Sequence, residues 1–252
     1  MSLSTLIILI VLFFVTSVVG VVTGSNSLIT VPVMFQFGID EKVAVATNMF
    51  GLTFMAVGGT IPFVRQKRID YYRVRPLVLL TIAGSALGAA LVGAITDQSL
   101  RLIVSVAMIA VAVFTLLSRK PADEAAEVEP KRAIVYFLTF ILAIYGGLYS
   151  GGYITVLTAM LAAFYAMPFG EAVGATKLIN VFSSLIATLV FIRQDLVDFK
   201  LGAILAVTMF AGAYIGAHYA ARMNESWLRR IFLTTVLLLA AKILYDISAT
   251  LF

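Results

Sequence analysis

The sequence predicts an all-α polytopic membrane protein built as two homologous helical halves in an inverted repeat. Each half is expected to contain a broken or re-entrant helix, with about eight full crossings plus two short segments in total. Composition, the spacing of ionisable residues and an internal alignment carry this prediction. Of 252 residues, 62% are apolar and 12% charged, whereas soluble domains average about a quarter charged. The mean hydropathy is +1.05. Disorder, collagen and coiled coil are excluded.

Taken in order, the charge-free stretches are Met1 to Ile39, Val43 to Val64, Pro76 to Thr96, Leu102 to Ser118, Ala133 to Gly170, Leu178 to Ile192 and Leu201 to Ala221. Most have the length of a bilayer crossing, because a helix rising about 1.5 Å per residue needs about 20 residues to cross about 30 Å of hydrocarbon. Ile231 to Leu251, interrupted by Lys242 and Asp246, is read as the last crossing. The first and fifth stretches are nearly twice too long, since a straight helix of that length reaches about 58 Å. Each must break or fold back. Gly24-Ser25-Asn26-Ser27 and Ser150-Gly151-Gly152 are the fitting places, with glycine freeing the backbone and serine or asparagine capping a new short helix.

The N-terminus has no basic region and no small-residue cleavage site, so Leu3 to Val22 is read as a retained membrane segment. Arg119 to Arg132, with Pro121, Asp123, Glu124, Glu127, Glu129 and Pro130, breaks the apolar pattern and reads as a linker. The chain thus divides into an N-terminal repeat (1–118), a linker (119–132) and a C-terminal repeat (133–252).

The halves align. At an offset of 128, Arg65-Gln66 falls on Arg193-Gln194, Ile69-Asp70-Tyr71 on Val197-Asp198-Phe199, Gly84 and Gly88 on Gly212 and Gly216, and Leu100-Arg101 on Leu228-Arg229. An offset of 129 places Ala46-Thr47 on Ala175-Thr176, and 127 places Gly24 on Gly151. This is the mark of a duplication, a common origin of secondary transporters. If each long run crosses once, the halves are parallel and Lys/Arg in loops divide eleven to five. If each folds back, the halves are inverted and the division is twelve to four. Helix length and the N-terminus without basic residues favour the hairpin, with loop Arg65 to Arg75 cytoplasmic.

Polar residues deep in apolar segments are costly and tend to be functional. Lys177 lies inside an apolar segment, about two turns past Pro168-Phe169-Gly170, with Thr176 before it and Asn180 one turn later on the same face. Thr47 and Asn48 stand in the corresponding region of the first half. A cation flanked by amide and hydroxyl donors attracts an anion; snorkelling, or pairing with Glu171, is the plainer alternative. At the breaks, the free N–H groups and positive dipole end of a helix starting inside the membrane form a second anion seat. Ser25, Asn26 and Ser27 supply it in one half, Ser150, Gly151 and Gly152 in the other, against the alternative of a kink that merely packs.

The glycine pairs at 84/88 and 212/216 read as close helix packing, and Arg65-Gln66 and Arg193-Gln194 as anchors at helix ends. Tyr149, Tyr153 and Gln36 are candidate cavity liners. His218 reads as a packing residue, and Asp40-Glu41-Lys42 as a solvated loop. The absence of cysteine removes disulfides, zinc thiolates and thiol nucleophiles. No nucleophile elbow, metalloprotease motif, Walker loop or dinucleotide fingerprint is found, so no enzymatic activity, cofactor or resident metal is expected. The basic residues sit in short loops rather than along one face, which argues against nucleic acid.

The stretch Gly20-x-x-x-Gly24-Ser25-Asn26-Ser27-Leu28-x-x-x-Pro32, then Gly38, Ala44, Ala46-Thr47, Arg65 through Asp70-Tyr71 and Gly84-x-x-x-Gly88, resembles the sulfite exporter TauE/SafE family. Gly147, Gly151-Gly152, Ala172 to Thr176, Val197-Asp198-Phe199 and Gly212-x-x-x-Gly216 repeat the pattern. The family's usual glycine cluster is Ser25-Asn26-Ser27 here, and Val156-Leu157-Thr158 stands where the second half would match Pro32; both departures bear on substrate. The resemblance implies a multi-pass permease of the cell membrane for sulfite, sulfoacetate or other organosulfonates. The expected partners are a small anion, the lipid bilayer, a proton as coupling ion and a second copy in a homo-oligomer. The competing readings are a cation or metal permease, with nine methionines leaving room for copper(I), and a membrane scaffold that transports nothing.

Overall fold

The computed structural model describes residues 2–24, 26–117, 131–224, 226–234 and 238. Among them there is no strand, and nine helices have both ends described: α1 Leu3–Thr23, α2 Ser27–Gln36, α3 Glu41–Arg65, α4 Tyr71–Ala94, α5 Asp97–Leu117, α6 Arg132–Leu148, α7 Tyr153–Phe164, α8 Phe169–Arg193 and α9 Phe199–Ala220; residues 226–234 are helical as well. Most of the expected linker and of the expected last crossing lie outside the described residues.

Local chemistry accounts for the boundaries. The Asp40 carboxylate accepts N–H bonds from Lys42 and Val43 to start α3, Asp70 accepts from Tyr72 and Arg73 to start α4, and Asp198 accepts from Leu201 to start α9. Each satisfies backbone donors that the helix itself leaves free. Both overlong runs are interrupted. α1 stops at Gly24, whose φ of 71° is left-handed, and the Gly24 N–H closes the last turn on the Gly20 carbonyl. α7 starts after Gly152, also left-handed at φ 77°. Glycine adopts this conformation without the steric penalty a side chain would incur.

Five helices are long and apolar enough to cross a membrane: α1, α3, α4, α8 and α9. The described residues thus supply five of the expected eight or so crossings and do not establish the others. α6 has 17 residues, a rise of about 26 Å, which falls short of the hydrocarbon thickness. Leu3, Ile7, Val11 and Val15 on α1 are all more than half exposed, a spacing that forms one apolar face suited to lipid.

The backbone correspondence between the halves centres on one interval, 128 residues, although the ends of α1 and α6, the starts of α2 and α7 and the ends of α4 and α9 depart from it by two or three residues. α3 and α8 have both bounds displaced by 128, and α4 and α9 start 128 apart. The left-handed residues pair at the same interval: Gly24 with Gly152, Gly38 with Ala166, and Lys67 with Asp195. This corrects the offsets of 127 and 129. Gly24 corresponds to Gly152 rather than Gly151, and Asn48 rather than Thr47 corresponds to Thr176. Matching residue identities slid the alignment wherever one half had changed its side chain.

The packing also exchanges between halves. α1 lies on α9 and α6 on α4, α3 lies on α9 and α8 on α4, and α3 crosses α8. Contacts along each pair give the directions. Gly212 abuts Phe14 and Gly216 abuts Val18, while Gly84 abuts Phe140 and Gly88 abuts Ile144, so α1 runs with α9 and α4 with α6. Gly202 meets Thr47 and Phe50, and Gly58 meets Phe210, so α3 runs with α9. Ser85 bonds Ser183 and Gln194 bonds Ala89, so α4 runs with α8. Thr53 meets Thr188 whereas Phe63 meets Gly174, so α3 opposes α8. Hence α1, α3 and α9 point one way, and α4, α6 and α8 the other. The glycine pairs at 84/88 and 212/216 are packing positions, as expected.

Candidate functional site

The two breaks and the crossing of α3 with α8 line one cavity. α1 contributes Gly20, its end Gly24, and the first break and α2 Asn26 and Ser27. α3 contributes Leu52 and Met55, the second break Ser150, α7 Ile154, and α8 Lys177 and Asn180. Two of these pairs, 26 with 154 and 52 with 180, are corresponding positions of the two halves. The cavity therefore sits where the halves exchange, but its chemistry is asymmetric. Asn26 faces Ile154 across that relation, Asn180 replaces Leu52, and the counterpart of Lys177 is Met49. The cavity volume is about 20 Å³, enough for about one water molecule.

Hydrogen bonds tie the breaks together. The Ser27 and Ser150 hydroxyls meet at 2.7 Å across the halves. Asn48 Nδ2 donates to Ser27 Oγ at 2.9 Å, and Thr30 Oγ1 donates to Asn48 Oδ1 at 2.8 Å. Since Ser27 Oγ accepts from Asn48, its own proton is free to point at Ser150. The Tyr149 hydroxyl donates to the Ser27 carbonyl at 2.9 Å, and Tyr145 donates to the Gly151 carbonyl. Asn26 Nδ2 donates to Ser17 Oγ at 2.9 Å and approaches Met55 Sδ at 3.2 Å. These bonds hold the polar rim in one geometry.

Lys177 is the exception to this pairing. It is 3% exposed, its stem lies near Gly59, where an added methyl would stand 3.7 Å from Cδ, and the residue lines the cavity. Among the described residues Arg101 pairs with Glu41, and neither Glu171 nor any other carboxylate of those residues pairs with Lys177. A buried cation with no counter-ion is costly, and the arrangement suits a site that receives its negative charge from a ligand.

Of the sequence-predicted residues, Asn26, Ser27, Ser150, Lys177 and Asn180 line the cavity. Asn48 stands behind Ser27 and fixes its hydroxyl. Thr47 does not reach the cavity: its hydroxyl accepts the Asp198 N–H at 3.0 Å, where α3 meets the start of α9. Thr176 is turned to Thr158 at 3.0 Å, which repeats the Thr30–Asn48 contact 128 residues on. Gly151 is buried under the Tyr149 ring. Ser25 lies outside the described residues. Gln36 is exposed at the end of α2, Tyr149 and Tyr153 are fully buried beside the breaks, and His218 packs between the Tyr214 and Tyr219 rings. Asp40-Glu41-Lys42 is not simply a solvated loop, because Asp40 caps α3 and Glu41 pairs with Arg101. Gly20, Leu52, Met55 and Ile154 are apolar, so a search for chemistry-bearing residues passes over them; the offset of 128 from Asn26 and Asn180 is the signal that finds two of them.

No solved structure matches the chain. Among curated proteins, it is 27% identical over 249 residues to "Probable membrane transporter protein YfcA" of Escherichia coli (strain K12), covering 94% of this chain and 89% of that one. It is 26% identical over 242 residues to "Probable membrane transporter protein ORF9" of a Sinorhizobium species, covering 92% and 90%. A "Probable membrane transporter protein" of Haemophilus influenzae is 22% identical over 238 residues, 92% of each chain. Residues 8–243 match the family model "Sulfite exporter TauE/SafE". With five helices able to cross a bilayer and a match that spans both breaks and the cavity between them, this multi-pass membrane transporter belongs to the sulfite exporter TauE/SafE family.

Proposed function

We propose that the protein is a secondary transporter of small sulfur-containing anions, sulfite or organosulfonates, held in the cavity between two inverted repeats. The observation that carries the reading is Lys177: a buried ammonium without a carboxylate, at a cavity rimmed by Ser27, Ser150 and Asn180. An oxyanion there would neutralise the charge and accept from hydroxyl and amide donors, which are stronger partners when one group is ionised.

The helix directions support the inverted reading. α1 and α3 point opposite to their counterparts α6 and α8, and α4 opposite to α9. On this reading Arg65, Lys67, Arg68, Arg73, Arg75, Lys131, Arg132 and Arg222 share one end of the bundle and Lys42, Arg101, Arg193 and Lys200 the other, so the first end is cytoplasmic by the excess of positive charge. The repeats are 1–118 and 133–252 around the linker. The small cavity volume suits a closed state, which rocking one half against the other would open alternately to each side. Protons or the membrane potential supply the driving force, and no nucleotide is needed.

The test is thermal unfolding of the purified protein against sulfite, sulfoacetate, sulfate, acetate and copper(I), because a ligand that binds only the folded state raises its midpoint. The expected result is a dose-dependent rise with sulfite or sulfonate that exceeds the rise with acetate. A rise confined to copper(I) would instead assign a metal permease, and no rise with any probe would favour the scaffold.

A further inference from the structure

A second cavity, of about 310 Å³, opens at the start of α4 and α6 and shares no lining residue with the central one. Three guanidinium groups, Arg73, Arg75 and Arg132, line it together with the phenol rings of Tyr72, Tyr136 and Tyr165. Arg73 is pinned: its guanidinium stacks 4.5 Å over the Tyr165 ring and donates to the Tyr165 carbonyl. Arg75 and Arg132 are exposed and pair with no carboxylate among the described residues. Among the described residues no carboxylate lines the cleft; Asp70, next to it in sequence, spends its oxygen on the Tyr72 and Arg73 N–H groups. α6 begins with no acidic residue in its first turn and no side-chain cap, so its positive end adds to the same field.

We propose that this cleft is a phosphate-binding site, with Arg75 and Arg132 holding the oxyanion and Arg73 fixing the wall behind them. Planar guanidinium groups match the oxygen spacing of phosphate and bind it through paired donors. The surroundings point to a phosphate at a membrane surface. Aromatic and arginine residues mark the ends of bilayer-crossing helices, and basic pockets between such helices take anionic headgroups. Below the cleft, Leu79 and Leu87 on α4 and Phe137 and Ile141 on α6 are each about half exposed or more, an apolar track beneath the arginines that an acyl chain can follow.

The test uses the purified, delipidated full chain in detergent. Its thermal midpoint is measured with dioleoylphosphatidylglycerol, with dioleoylphosphatidylcholine as the lipid background, and with inorganic phosphate. The expected result is a rise above background with phosphatidylglycerol, inorganic phosphate or both, that requires at least about tenfold more ligand in the Arg75→Gln/Arg132→Gln double variant, since a charge-assisted bond is worth more than a tenfold change in affinity. Phosphatidylglycerol alone would identify a lipid headgroup, and inorganic phosphate a free ion. Lys200→Gln at the opposite end and Lys177→Met in the central cavity are expected to keep the response, so that this site and the transport cavity are judged separately. No rise with either probe, or an equal rise in the double variant, would overturn the proposal.

Discussion

Lys177→Met is expected to move the sulfite-induced rise in thermal midpoint to much higher sulfite concentration while leaving the protein folded. Methionine nearly preserves the length and volume of the buried stem beside Gly59 and removes only the ammonium. A hydrogen bond to a charged group contributes about 1.5–3 kcal/mol, so anion affinity should fall by about tenfold to a hundredfold. The ligand-free midpoint should stay level or rise, because a buried charge without a partner is destabilising and its replacement by an apolar side chain of similar volume relieves that cost. The opposite signs distinguish a binding residue from a packing one. If Lys177 merely filled space, the substitution would leave the anion response intact. Ser27→Ala serves as the milder companion: it deletes the hydroxyl that joins Asn48 to Ser150 and should shift the response less.

Gly88→Ala and Gly216→Ala are expected to lower the thermal midpoint most among single methyl additions. The new Cβ at Gly88 would stand 1.9 Å from the Ile144 carbonyl oxygen, and at Gly216 2.1 Å from that of Val18. Both obstacles are backbone atoms of a packed helix, so the interfaces of α4 with α6 and of α1 with α9 must separate. Overpacking of this kind costs about 1–3 kcal/mol or more, and the small residues are what let membrane helices approach at all. Gly93→Ala is the control. Its Cβ would meet only the end of the Gln194 side chain at 3.0 Å, which can rotate away. Equal midpoints for Gly88→Ala, Gly216→Ala and the control would show that the close crossings do not hold the halves together.

Much of this arrangement was readable from the residues themselves. Runs too long to be straight helices required breaks, and glycine with capping side chains located them at Gly24 and Ser150 to Gly152. Lys177 and Asn180 were legible because charge and amide are rare in apolar helices and their spacing puts them on one face. Thr47 and Thr176 misled for a physical reason: a buried threonine hydroxyl finds partners locally, in the Asp198 N–H and in Thr158, whatever lies across the bundle. The apolar half of the cavity, Leu52, Met55 and Ile154, carries no chemical signal and becomes visible only once the halves are superposed. The cleft between α4 and α6 was likewise hidden, because Arg75 lies in the first half and Arg132 at the end of the linker, and they read separately as loop charges.

In the proposed inverted arrangement the two halves enter the membrane in opposite directions and so bring positions 26, 154, 52 and 180 to one place. The cysteine-free chain makes this directly measurable. Tyr72 and Lys200 are exposed and occupy corresponding positions at the starts of α4 and α9. With Tyr72→Cys and Lys200→Cys introduced one at a time, labelling of intact cells by a membrane-impermeant maleimide should modify the cysteine at 200 and spare the one at 72 until the cells are opened. Labelling of both from the same side would contradict the inverted arrangement and, with it, the shared cavity.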